Sequence, residues 1–540
     1  MSTATAAHPF TVLRIPFADI PQLSKRDQAY AQRDERMRPF YKYDVQIDEF
    51  ERVIRDKQLD YTDRTLLSDV LLHQYEDYST TASVYNNINS LKNNNTFTLI
   101  TAHQPSLFTG PLYYVIKIIS CIRLSERLNA HYPDYHFVPV FVTGGEDHDF
   151  EEVNHTHLFG KTIEWKNDES GSVGMMSTDT LSDALATLKE ILGDHAARAK
   201  DLFELMEKAH TSHETYAAAT IHLVNELFKE QGLVVANMNH AAFKRAFIPI
   251  IKKEIFEQPS EALVTTEQER LEAAGFGGQA FPRPINFFYL QEQSRERIVE
   301  IDGRYKVLNT EYEFTRPELE RIIETHPEYF SPNVIMRPLF QEAIFPNVAY
   351  IGGGGELAYW MERQPQFKHF GLNFPMLIRR NSLMWLDKGQ VKRLGKVGLE
   401  VKDIFADTDL LIKDYVNAHT QNDIKLGQEQ QELRDVFAKI VTKAKNIDPT
   451  IAKSVKAEEQ KAVNAIKNLE AKLMRAEKQQ HDTAINQIRT LKDKLFPNNG
   501  LQERHDNFMG LYLKYGQTFF DVLREELDPL TDGFVVILDK

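Results

Sequence analysis

The sequence predicts an α/β fold built on a parallel sheet, followed by an α-helical coiled-coil region. Three observations carry this expectation. Phe97–Ala102 and Phe137–Thr143 are almost continuously apolar, as strands become when helices cover both sheet faces. Between them, Pro111–Leu128 has the length of the crossover helix that parallel strands require. Far downstream, Thr450–Phe496 holds neither Gly nor Pro and is bracketed by Pro449 and Pro497. Its apolar residues recur at spacings of three and four, the pattern of a helical seam.

Taken in order, residues 1–95 read as mostly helical and peripheral, ending in the polar linker NSLKNNN. Strand, loop, helix and strand then follow, and LVVANMN (233–239) and NVAYI (347–351) are further strands of the same apolar kind. Regions near 160–230 and 255–330 read as insertions, the second with hairpins about Asp302-Gly303. The expected boundaries are a core over 1–385, a helical domain over 386–515, and a segment 516–540 packing back on the core. In the helical domain Ile466, Leu469, Leu473, Ala476, Ile488, Leu491 and Leu495 form the seam, with a more polar middle at Gln479–Asp482. One continuous helix there would be about 70 Å long. Its partner is either the segment Leu426–Ile447 folded back or another subunit, so a homodimer and an intramolecular hairpin both remain open.

The 540 residues exceed what one hydrophobic core accommodates. A formal charge of −14 argues against nucleic acid or an anionic membrane as partner, since a phosphate footprint needs a basic surface. It leaves room for a local basic pocket. The single cysteine, Cys121, lies in an apolar helical run, so packing is expected of it and no disulfide is possible. With no basic, apolar leader and no long apolar stretch, a cytoplasmic protein without membrane spans is expected.

Three blocks carry candidate chemistry. In HQPSLFTGPLYYVIK, Gln104, Thr109, Gly110, Tyr113 and Lys117 surround the start of the crossover helix, with Pro111 expected at its first position. A helix start at the carboxyl end of a parallel strand is a common seat for anions. Spacing alone leaves a solvated loop equally open. In TGGEDHDFEEVNHTHLF, Glu146, Asp147, His148, Asp149, Asn154, His155 and His157 crowd the next strand end, suited to acid–base chemistry or to holding an amine. No cysteine and no H-E-x-x-H pattern accompany them, so no zinc is expected. In NVAYIGGGGELAYW, the bare turn Gly352, Gly353, Gly354, Gly355 lets backbone N–H groups reach a ligand. Glu356, Tyr359 and Trp360 follow as an amine or ribose grip and a stacking face, with Arg337, Gln341 and Glu342 upstream.

These blocks together resemble the BshC family, the cysteine-adding enzymes of bacillithiol biosynthesis. The resemblance rests on Q-x-x-x-x-T-G-P-L-Y-x-x-x-K from Gln104, G-E-D-H-D-x-x-E-x-N-H from Gly145, the run from Arg337 to Trp360, and KLFPNNGLQERHDNF from Lys494. It covers essentially the whole chain and departs at Ala102-His103, where many relatives carry Thr-Gly. It implies a Rossmann-like core of the class I synthetase and nucleotidyltransferase type with inserted connecting regions, and a coiled-coil domain that mediates dimers. The implied activity joins L-cysteine to glucosaminyl-malate. Because a carboxylate is not acylating unaided, ATP with Mg²⁺ is expected, with Lys117, His148 and Asp149 as the catalytic candidates. Two other readings stand beside it: an adenylate-forming ligase for another amino acid, and a non-catalytic dimeric partner that delivers cysteine.

Overall fold

The computed structural model describes residues 9–193, 196–420 and 425–539. The chain forms two compact units, Met1–Trp385 with Gly500–Ile537, and Leu386–Asn499 with Leu538–Lys540. It thus re-enters the first unit at Gly500, ahead of the boundary at 516 suggested by sequence.

The first unit is Rossmann-like. Its sheet contains β1 (Thr96–His103), β2 (His136–Thr143), β3 (Val234–Asn237), β4 (Asn347–Gly352) and β5 (Met376–Arg379). All neighbours run parallel, in the order β5-β4-β1-β2-β3. Read from the far edge this is 3-2-1-4-5, the doubly wound order in which ligands sit where the winding reverses, between the first and fourth strands. The first four strands coincide with the apolar runs. β5 escaped sequence reading because it is only four residues long, ends in Arg379 and is followed by Arg380.

Helix α1 (Tyr113–His131) covers one sheet face, packing Cys121, Leu124 and Leu128 against Phe97, Leu99, Phe137, Ile351 and Ile378. Cys121 is wholly buried, its thiol donates to the Leu99 carbonyl at 3.1 Å, and burial pushes its pKa up to about 12. A thiol held neutral in this way is inert. The helix begins two residues after Pro111. The N–H of Leu112 is satisfied instead by the Asp506 carbonyl at 2.7 Å. The N-terminal region holds one strand, Phe10–Ile15, besides its helices. A second, antiparallel sheet comes from the region near 255–330, where Ser294–Ile301 and Arg304–Val307 form a hairpin about Asp302 and Gly303, both at positive φ.

Helices α2 (Arg337–Ile344) and α3 (Gly354–Trp360) flank β4. The start of α3 packs on a buried bidentate pair, Asp27 with Arg379 at 2.7 and 2.9 Å. A Cβ on Gly354 would lie 2.3 Å from Asp27 Cγ, whereas one on Gly355 would meet nothing within 4 Å.

The second unit contains α4 (Gly427–Lys445), α5 (Pro449–Gln480) and α6 (Asp482–Leu495). The long helix is interrupted at His481, within the polar stretch noted in the sequence. α4 folds back on α5 as an intramolecular hairpin, with Val441, Ala444 and Ala452 buried near its turn and Gln430 donating to Glu470 at 3.0 Å. Ile485 and Ile488 pack instead on Val397, Leu411, Ile412 and Val416. Leu469 and Leu473, expected in the seam, remain exposed within this chain. Among the described residues no helix is long and apolar enough to cross a membrane.

Gly354→Ala is expected to destabilise the first unit by about 2–4 kcal/mol, because its methyl group displaces one member of a buried ion pair. Gly355→Ala should stay within about 1 kcal/mol of the parent. Urea unfolding of the two variants checks the contrast.

Candidate active site

The strand ladder between β1 and β4 has its last pair at Ile100–Tyr350. Beyond that point the connection passes to side chains. Thr101 Oγ1 donates to the Ile351 carbonyl at 2.8 Å. Lys117, fully buried, donates to the Ala102 carbonyl at 2.5 Å and to Glu356 at 2.7 Å. Above them opens a crevice of about 680 Å³ at the carboxyl edge of the sheet. Segments following β1, β2 and β4 all reach it, so the three sequence blocks meet at one rim.

Gln104, Tyr113, Glu146, Asp147, His148, Gly353, Gly355, Glu356 and Tyr359 line this crevice, as do Arg337 and Gln341. Several expected residues do not. Thr109 and Gly110 are buried in a tight turn in which Phe108, Thr109 and Gly110 all have positive φ. The Asn507 amide secures that turn, lying 2.9 and 2.7 Å from the carbonyls of Phe108 and Gly110. The turn is therefore structural, and the expected phosphate floor at Thr109–Gly110 is absent from the lining. Asp149 precedes the short helix Phe150–Val153 at an exposed position outside the lining and makes no side-chain capping bond. Asn154 and His155 belong to a neighbouring hairpin region, bonded to each other at 3.0 Å. Trp360 is a core residue stacked on Tyr350 at 4.4 Å, with no face open to a ligand. Gly352 and Gly354 serve packing. Glu342 turns into the core, where Asn347 donates to it at 2.7 Å and burial raises its pKa to about 7.

Glu356 was expected to grip substrate, but its carboxylate is already engaged. It accepts from Lys117, from Tyr350 Oη at 2.7 Å and from the Gly353 N–H at 2.9 Å. Burial alone would raise its pKa, yet Lys117 and these donors bring it down to about 2. Burial lowers the Lys117 pKa to about 8 against the opposing pull of Glu356. Lys117 thus acts from beneath the floor, as a positioning residue.

His103, not singled out in the sequence, lines the site beside Tyr113. Burial, and then the charge of Lys117, lower its pKa to about 4, so it is neutral near pH 7. Its Nδ1 lies 2.9 Å from the Gln104 carbonyl, which only accepts, so Nδ1 carries the proton. Nε2 then accepts from the Tyr113 hydroxyl at 2.8 Å. At His148 the logic reverses. Arg295 only donates, and its Nη1 lies 2.8 Å from His148 Nδ1. Neutral His148 therefore presents Nε2–H to the crevice, a donor rather than a base. For Asp147, burial would raise the pKa, but Arg295 and hydrogen bonds from Gln104 and the His148 backbone hold it below the usual range.

The lining holds six arginines, Arg283, Arg295, Arg297, Arg337, Arg380 and Arg504, against four carboxylates. Arg380 pairs with Glu503 at 2.9 Å, and Arg295 lies 3.7 Å from Asp147. Glu146 holds buried Lys244 at 2.5 Å, and Glu356 holds Lys117. Among the described residues Arg283, Arg297, Arg337 and Arg504 have no carboxylate partner, so the crevice carries excess positive charge in an acidic protein. Sequence reasoning missed most of these cations because they arrive from an insertion and from the C-terminal return of the chain.

The Lys117 ammonium should titrate with a midpoint of about 8, against 10.5 for an ordinary lysine, when followed by NMR of its side chain. Glu356→Gln should push that midpoint lower still, since it removes the main group favouring the charged form. The Glu356 contribution to stability is complete above pH 4.5 and fades as pH falls toward 2. The same variant should flatten that acid limb in urea titrations.

Comparison with known proteins accounts for nearly the whole chain. The family model for the bacillithiol biosynthesis BshC N-terminal Rossmann-like domain matches residues 13–381, and that for its C-terminal coiled-coil domain matches residues 383–538. A relative from Flavobacterium johnsoniae is 37% identical over 516 residues, covering 95% of this chain and 97% of its own. One from Christiangramia forsetii is 37% identical over 504 residues, covering 92% and 94%. One from Cytophaga hutchinsonii is 34% identical over 522 residues, covering 97% and 98%. All three bear the name "Putative cysteine ligase BshC". With both regions matched in order along the chain, the chain belongs to the BshC family of bacillithiol biosynthesis.

Proposed function

We propose that this protein is an ATP-dependent ligase that forms an amide between L-cysteine and the amine of glucosaminyl-malate, working in the cytoplasm as a homodimer. The observation that carries the reading is the set of four arginines without carboxylate partners at the switch point of a parallel sheet. Malate brings two carboxylates and a nucleotide brings phosphates, and guanidinium groups recognise both through charge-assisted, bidentate hydrogen bonds. The names of the relatives, which specify cysteine, support the amino-acid substrate.

Bound ATP would supply the phosphoryl or adenylyl group that turns a carboxylate oxygen of cysteine into a leaving group. The chain supplies the surroundings. Arg283, Arg297, Arg337 and Arg504 balance the negative charge of phosphate and malate oxygens, and His148 Nε2–H donates to an oxygen on which charge develops. Mg²⁺ takes oxygen ligands. Among the described residues no group of three His, Cys, Asp or Glu is gathered to hold a metal ion, and three of the crevice carboxylates already face cations. Phosphate oxygens would therefore provide most of its ligands.

The dimer rests on an apolar surface of the second unit. Val436, Ile440, Ile451, Leu469 and Leu473 on α4 and α5 are each more than 40% exposed. Several large apolar residues left exposed on one hairpin are a common feature of interaction sites, and the internal hairpin leaves these uncovered.

Purified protein given ATP, cysteine and glucosaminyl-malate should form the cysteinyl amide with stoichiometric nucleotide consumption, and cysteine-dependent ATP–pyrophosphate exchange would identify an adenylate route. Arg297→Ala and Arg504→Ala, at exposed positions, should each raise a KM for an anionic substrate about tenfold with the melting temperature within about 2 °C. Absence of product with every nucleoside triphosphate would refute the assignment. Separately, Leu469→Lys with Leu473→Lys should convert a dimer into a monomer in sedimentation velocity.

A further inference from the structure

Three of the four crevice carboxylates face cations: Glu146 faces Lys244, Asp147 faces Arg295, and Glu356 faces Lys117. Glu152 is the exception. It lines the crevice from the short helix Phe150–Val153, and among the described residues it has no cationic partner. Among the described residues its side chain accepts one hydrogen bond, from Gln104 Nε2 at 3.2 Å, and the same nitrogen donates to Asp147 Oδ2 at 2.8 Å. One amide nitrogen therefore sits between two carboxylates, in a cleft whose other unmatched groups are all guanidinium. A substrate ammonium arriving beside that nitrogen would meet the Glu152 carboxylate, to which no cation is paired among the described residues.

The chemistry of an amino-acid ligase requires such a position. Activation consumes the carboxylate of the amino acid but leaves its α-ammonium charged throughout. An ammonium brought into a cleft already rich in arginine is repelled unless an anion receives it. Paired carboxylates offer little, because their charge is already neutralised. We infer that Glu152 receives the α-ammonium of the amino-acid substrate, with Asp147 beside it, and is the residue by which the crevice distinguishes an amino acid from an acid lacking the amine. The inference rests on the ligase reading above and adds to it a specificity-determining residue. The arginines then take the anionic partners at the other side of the cleft, so that each substrate charge meets its opposite.

The test compares cysteine with 3-mercaptopropionate, the same molecule without its amine, in wild-type protein and in Glu152→Gln, with calorimetric binding of cysteine measured in parallel. The substitution keeps the shape of the side chain and its hydrogen bond to Gln104. Cysteine KM should rise at least tenfold with kcat changed less than threefold, as expected for loss of a charge-assisted contact. The preference for cysteine over 3-mercaptopropionate should fall at least tenfold, and Glu152→Asp should restore part of it. Equal losses on both acids would mark a structural role and overturn the inference. So would an unchanged cysteine KM, or a change confined to the Mg²⁺ requirement. If wild-type protein forms no amide yet binds cysteine in a Glu152-dependent manner, the reaction assignment fails while the ammonium site stands. Amide formation that is indifferent to Glu152 has the opposite meaning.

Discussion

One buried ammonium organises the working edge of this molecule. Lys117 rises from the crossover helix at the place where β1 and β4 part, and joins the last carbonyl region of β1 to the carboxylate that opens α3. Strands that diverge at a switch point leave backbone groups without ladder partners. Here Thr101 and Lys117 satisfy them with side chains. Lys117 is wholly buried, so loss of Glu356 strands its charge, typically at a cost of about 3–5 kcal/mol. Tyr350 and the Gly353 N–H donate to the Glu356 carboxylate, and the Lys117 charge adds to the burial that keeps His103 neutral.

The crevice inverts the electrostatics of the chain that builds it. A protein of formal charge −14 would repel anionic substrates from most of its surface. At the carboxyl edge of the sheet three of the four crevice acids face cations, and arginines from the inserted antiparallel sheet and the returning C-terminal segment line the crevice. A cleft lined by unmatched charge focuses its field on entering ligands. Neutral His103 adds polarity without adding charge. Burial and pairing set the pKa directions of Lys117, Glu356 and Asp147.

The second unit shows a different use of apolar pattern. Its hairpin buries small side chains at the turn and keeps larger ones on an outer face. The seam seen in the sequence therefore divides in two. Ile485, Ile488, Leu491 and Leu495 are buried, while Leu469 and Leu473 remain outside. Periodicity identifies a helix with an apolar stripe, but the stripe does not say which neighbour it serves.

The sequence by itself determined the strands, the crossover helix and the presence of chemistry at three strand ends. Burial of a strand on both faces demands a continuous apolar run, and that demand is local enough to read from residues 97–102 or 137–143. What only the tertiary structure decided was which polar side chains are available to a ligand. Glu356 and Lys117 lie 239 residues apart, and Glu146 meets a lysine supplied by another helix. Trp360 and the turn at Thr109 proved structural, and Glu152 and the unpaired arginines stood out only once their surroundings were known. Availability depends on counter-charges and packing partners brought from distant segments, and no local pattern encodes whether a given charge has already been answered.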